Sequence, residues 1–350
     1  PILVKTVEDS ILDLVSGEYI FSSLARFQNA AAVTNCCFLC TRCPDGRRDF
    51  NDEHVIPNWV LSEFDLHSER IGLPNDTLMT YGQYVVRACV ACNSALADLL
   101  ESKVSPVLRA PSFAPDEGES RTLFFWLCSL FVKTHIKSSR LRLHRDHRQP
   151  PKTIGETFDY SRIHHPFCLL RAMMLDIPIE DAAFGSILVY EAHDDGFDYQ
   201  DSWAGNVVAV RFHRTFILCV LDDCGAVATK LGPWSRQVVN GPITFLQGRE
   251  LVSRAVSLNL SLRKRPAFQT IVDHGSPSLV VELPEQIDFD LELEQQLRGE
   301  HLWNALPKRA RELPATLEEL GKHGSRENAI KSGTWTLFED IVDEPDTEKS

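Results

Sequence analysis

The chain has 350 residues, 43% of them hydrophobic and 24% charged, a balance that excludes global disorder, a collagen-like fibre and a small disulfide scaffold. Its net charge of −13 is unevenly spread: Lys133–Lys152 carries seven Lys or Arg against Asp146 alone, whereas residues 280–350 carry 17 acidic against 8 basic residues. The overall sign therefore does not exclude an anionic partner, and the length leads us to expect about two domains.

In chain order, apolar positions at helical spacing over Val7–Ala31 (Ile11, Leu12, Leu14, Val15, Ile20, Phe21, Leu24) predict one or two short N-terminal helices, interrupted at Gly17. Cys36 to Glu101 is a cysteine-bearing segment of strand-like and loop-like pieces, in which Asn93–Ser102 predicts a short helix with Asn93 near its N-cap. Arg109–Arg121, with Pro111, Pro115 and Gly118, has linker composition. Leu123–Leu143 predicts a helix that opens almost wholly apolar and becomes basic, closed by Pro150-Pro151. Ser186–Glu191, Val207–Phe212 and Thr215–Leu221 predict strands of a mixed sheet, with Thr270–Val272 and Leu279–Glu282 as further strands. Leu291–Leu320 predicts helices broken at Pro307 and Pro314. The expected class is α+β: a helical segment (1–31), a cysteine module (32–105), a linker (106–121), a mixed α/β region (122–342) and an acidic tail (343–350). Leu123–Val132, the longest apolar run, falls well short of the ~20 residues that span a bilayer. With no basic flank followed by an apolar core at the start of the sequence, a cytoplasmic protein with reduced thiols and no membrane partner is expected.

Two CxxC pairs, Cys37-Phe-Leu-Cys40 and Cys89-Val-Ala-Cys92, can close a tetrahedral zinc site with ligands at ~2.3 Å. Such a site has no open coordination position, so its zinc is structural and supplies folding energy to a small segment. The run Cys36-Cys37-Phe-Leu-Cys40-Thr-Arg-Cys43 also offers Cys40 with Cys43, which leaves Cys43 as an alternative ligand.

Between the pairs lies Glu53-His-Val-Ile-Pro-Asn-Trp59, and Cys92 is followed directly by Asn93 and a segment ending Asp98-Leu-Leu-Glu101. This combination resembles the zinc-stapled HNH endonucleases of the ββα-metal group over roughly Cys36–Glu101, about a fifth of the chain. The resemblance implies metal-dependent hydrolysis of phosphodiester bonds in DNA, with a restriction or anti-phage role as family analogy. It assigns His54 as general base and Glu53 and Asn93 as ligands of a catalytic Mg²⁺ or Mn²⁺. Histidine titrates at ~6.5, which suits proton abstraction near neutrality, and hard oxygen donors suit Mg²⁺. Glu stands where the family more often has Asp, with Asp52 as a substitute, and both Asn58 and Asn75 are candidates for the middle Asn. Glu101 matches a position that braces the site.

Lys133, Lys137, Arg140, Arg142, Arg145 and Arg148 form the natural stripe for contacts to a duplex backbone, because phosphate neutralisation supplies most non-specific affinity. The C-terminal region is expected to recognise substrate or bind a protein partner or activator. The competing expectations are a non-catalytic module that binds nucleic acid or protein, and an RNase using the same residues.

Overall fold

The computed structural model describes residues 1–32, 35–46, 49–110, 115–146, 148–307, 311, 322–333 and 336–338. The tail 343–350, His147, Pro314 and part of the expected linker lie outside them. The protein is mixed α+β.

The first segment is an antiparallel meander where helices were expected: β1 (Leu3–Lys5), β2 (Ile11–Asp13) and β3 (Glu18–Phe21), followed by α1 (Leu24–Ala32). Two left-handed residues, Asp9 and Gly17, both at φ +66, turn the chain before a helix can propagate. Asp13 secures the second turn: its Oδ1 accepts from the Val15 and Ile2 amides and its Oδ2 from the Ser16 hydroxyl, which holds its carboxyl below the usual carboxylate range.

Next come β4 (Phe50–His54), α2 (Asn58–Glu63), the β5–β6 hairpin (Arg70–Gly72, Leu78–Thr80) and β7 (Val85–Cys89). α3 (Val90–Leu96) runs through a π-helical turn, Ala97–Glu101, into α4 (Ser102–Leu108). α5 (Glu117–Ser139) opens on a capping box, with Asp116 accepting from the Glu119 amide and Glu119 from the Asp116 amide. It ends before Leu143, because Leu141 and Leu143 pair instead with Ile154 and Lys152 through backbone hydrogen bonds of 2.9 and 2.8 Å.

The rest comprises α6 (Ser161–Met174), β8 (Ile187–Glu191), β9 (Phe197–Ser202), β10 (Val207–Phe212), β11 (Thr215–Val220), α7 (Ala226–Val238), α8 (Phe245–Ser261), the β12–β13 hairpin (Ala267–Asp273, Ser276–Glu282), α9 (Leu291–Ala305) and α10 (Arg326–Lys331).

The chain divides into two compact units, one of residues 1–184 with 267–282, the other of 185–266 with 283–350. The division falls at 184/185 rather than in the expected linker, because α5 and α6 belong to the first core. There Phe27 packs against Phe167 at 4.4 Å between ring centroids, and Phe124 meets Phe184 at 5.4 Å. The second unit is built on a fully antiparallel sheet of order β8-β11-β10-β9, with a core that joins Val207, Ala209 and Leu218 to Leu251 and Ala255 of α8. Buried Glu250 accepts from Arg254 and the Thr336 hydroxyl through Oε1 and from the Leu337 amide through Oε2, which fixes residues 336–338 against α8.

Candidate functional site

β4 pairs antiparallel with β7 from Phe50↔Cys89 to His54↔Val85, and α3 follows β7 without a break. Cys89 thus ends a strand and caps a helix (φ −76, ψ 147), and Cys92 follows within the first turn of α3. Asn93 is the fourth residue of that helix rather than its N-cap. The other pair sits in a tight turn closed by the Thr41 amide on the Cys37 carbonyl, and the Phe38 amide ties this turn to Arg87 of β7 at 3.0 Å.

The ligand atoms of Cys37, Cys40, Cys89 and Cys92 all lie within 4.8 Å of one another. Cys40 Sγ and Cys89 Sγ are 3.8 Å apart. That spacing matches the ~3.8 Å edge of a tetrahedron with zinc–sulfur bonds of ~2.3 Å, so the cluster fits a metal ion such as zinc. Mutual hydrogen bonding among the thiols pulls Cys40 down to about 7 and Cys89 further, and pushes Cys37 and Cys92 up. Cys36 and Cys43 are joined in a disulfide. This removes Cys43 as the alternative ligand and corrects the expectation that every thiol is reduced.

His54 ends β4 and is half-buried, with its ring 6.3 Å from that of His67 at 82°. His67 Nε2 is hydrogen-bonded to Asn58 Oδ1 at 2.9 Å. His67 escaped sequence reasoning because a lone histidine in a polar loop carries no spacing signal. Of the two candidate asparagines, Asn58 reaches this pair, whereas Asn75 is held by Thr77 and the Arg142 carbonyl.

Glu53 is largely withdrawn from solvent. Lys133 Nζ donates to Glu53 Oε1 and to the His54 carbonyl, both at 2.8 Å, with side-chain exposures of 0% for Lys133 and 13% for Glu53. Glu101 lies beside them. Burial pushes its carboxyl up, Lys133 pulls it down, Glu53 raises it again, and its Oε1 is buried without a hydrogen-bond partner. The structure thus gathers Glu53, Glu101 and Lys133 under β4. The sequence signal for this role of Lys133 was a lone cation within an apolar helical run. No hydrogen bond joins Asn93 to Glu53 or His54, and Asp52 is exposed and paired with Arg87 at 3.2 Å.

The expected basic stripe is not one helix face. Lys133 is fully buried and unavailable to a phosphate, which corrects its assignment as a DNA contact. Lys137 and Arg140 are half-buried on the last turn of α5 and its cap, whereas Arg142, Arg145 and Arg148 lie beyond the helix. Arg142 donates to the Gln149 carbonyl, Arg148 pairs with Asp146 at 2.8 Å, and Arg145 is exposed. Among the described residues no helix is long and apolar enough to cross a membrane. No family model matches the chain, and no curated protein or solved structure matches it.

Proposed function

We propose that the chain is a metal-dependent endonuclease of the HNH type that hydrolyses phosphodiester bonds in DNA, with His54 as general base. The observation that carries this reading is local topology. β4 and β7 pair, α3 follows directly, the four-cysteine cluster gathers around the β7–α3 junction, and His54 stands at the opposite end of β4 beside His67. A zinc ion on Cys37, Cys40, Cys89 and Cys92 is structural in this reading, because four thiolates leave no position for substrate. It holds the strand on which His54 sits, and His54 takes the proton of the attacking water.

Glu53 and Asn93 would hold Mg²⁺ or Mn²⁺, which would supply charge stabilisation at the phosphate and leaving oxygen. Lys133 occupies Glu53 Oε1, so Oε2 is the oxygen left for a cation. The Lys133 ammonium beside that carboxylate would weaken its hold on a dication.

Incubation with supercoiled plasmid and Mg²⁺ or Mn²⁺ tests the proposal. Wild type is expected to nick or linearise the plasmid, and His54→Ala with its zinc retained is expected to lose about 10²–10⁴-fold of the rate. Cleavage unchanged in His54→Ala overturns the assignment of the base. The engagement of Glu53 by Lys133 and the lack of a link to Asn93 favour a second reading, a non-catalytic nucleic-acid or protein binding module. Absence of cleavage by wild type on DNA and on RNA would support it.

A further inference from the structure

A cleft of about 360 Å³ opens beside the strand pair, lined by Asn35, Asp52, Val85, Arg87, Lys137 and Arg140 among others. Three cations face one carboxylate there, and that carboxylate is already paired: Asp52 accepts from Arg87 at 3.2 Å. Arg140 is anchored through its Nε, which donates to the Ala31 carbonyl at 2.9 Å. The Lys137 ammonium makes no hydrogen bond or ion pair with any described residue. Burial and then the Arg140 charge hold it below the ordinary lysine range, with Asp52 opposing, and burial lowers Arg140 too. The fold therefore keeps the half-buried Lys137 ammonium beside a second half-buried cation, and an anion in the cleft would relieve the desolvation and repulsion at Lys137.

We infer that this cleft is a phosphate-binding subsite that takes a backbone phosphodiester of a nucleic-acid strand. Its volume is within the range of small-molecule pockets and accommodates a nucleotide unit rather than a bare ion. Asp52 and His54 alternate onto one face of β4, ~7 Å apart along the strand, so the strand that lines the cleft also carries the imidazole. Arg142, Arg145 and Arg148 play no part in it. The inference rests on the nuclease reading for the identity of the ligand, and on the cleft alone for its anionic chemistry.

The test is fluorescence anisotropy with a labelled oligonucleotide, single-stranded and as its duplex, without divalent cation so that binding is read apart from cleavage. Lys137→Gln is expected to weaken binding about tenfold and to lower the slope of log affinity against log salt by about one, while Lys137→Arg keeps both near wild type. The urea midpoint of Lys137→Gln should hold or rise, because a repulsion is removed. Unchanged affinity and slope overturn the inference, and so does a lost affinity accompanied by a lowered midpoint, which marks Lys137 as structural. Displacement of the oligonucleotide by a nucleoside monophosphate at equal phosphate concentration overturns the strand assignment in favour of a free nucleotide. His54→Ala is expected to bind like wild type. If cleavage is never seen but Lys137-dependent binding is, the enzyme is lost and the subsite stands. If cleavage is seen and Lys137→Gln binds normally, the reverse holds.

Discussion

Lys133 shows how one side chain changes meaning between sequence and structure. In the sequence it heads a basic stripe. In the fold its ammonium is wholly buried between the Glu53 carboxylate and the His54 carbonyl. A buried pair of this kind is weak evidence of net stabilisation, but removing one partner leaves an uncompensated charge in a medium that solvates it poorly. Lys133→Met is therefore expected to cost about 3–5 kcal/mol in urea unfolding, with part of the loss recovered in the double variant that adds Glu53→Gln. A cost of ~0.5 kcal/mol or less, as at an ordinary surface position, would contradict the burial of the pair. Because Lys133 also holds the His54 carbonyl, it is a positioning residue for β4 rather than a contact for substrate.

At the scale of elements, local turn chemistry and burial decided more than apolar spacing. The N-terminal segment has helical spacing, yet left-handed Asp9 and Gly17 and the Asp13 side chain close turns between strands three or four residues long. Leu96, Leu100, Val104 and Leu108 form a buried row at steps of four. An α-helix drifts by ~40° per such step, and the π-helical turn Ala97–Glu101 offsets part of that drift. α6 illustrates packing with a titratable group. His165 stacks on Phe268 of β12 at 3.4 Å between centroids, and burial, with His164 adding to it, pulls its pKa from 6.5 to about 3. The folded protein keeps this imidazole neutral while the unfolded chain takes up a proton below ~6.5, so its contribution is full above that pH and is lost as pH falls toward 3. Over the 1.5 units down to pH 5 the loss is about 2 kcal/mol at most, since part of the residue's surface meets solvent. Urea midpoints of His165→Phe should be flatter than wild type between pH 7 and 5. Parallel profiles would show that other groups carry the acid sensitivity.

Across the whole molecule, the cysteine cluster joins segments about 50 residues apart in a unit whose chain also leaves at Gly185 and returns for the β12–β13 hairpin. Zinc removal should accordingly be felt in β4, β7 and the start of α3, while β8–β11, which have a core of their own, keep their amide protection. About one zinc per chain is expected by elemental analysis, with loss of metal and of β4–β7 protection in Cys89→Ser; strands that stay protected after chelation would show that the cluster is not what holds them. The amino-acid sequence by itself determined the features that depend on short range: the CxxC spacing, the central apolar helix, the strands β8, β10 and β11, and the adjacency of Glu53 and His54. Tertiary structure alone decided that Cys37 rather than Cys43 joins Cys40 and that Cys36 and Cys43 pair with each other, that Lys133 lies inside and Lys137 lines a cleft, and that His67 meets His54. The physical reason is that ligand spacing and apolar periodicity are written along the chain, whereas burial, the pairing of charges and the meeting of residues tens of positions apart are set by packing.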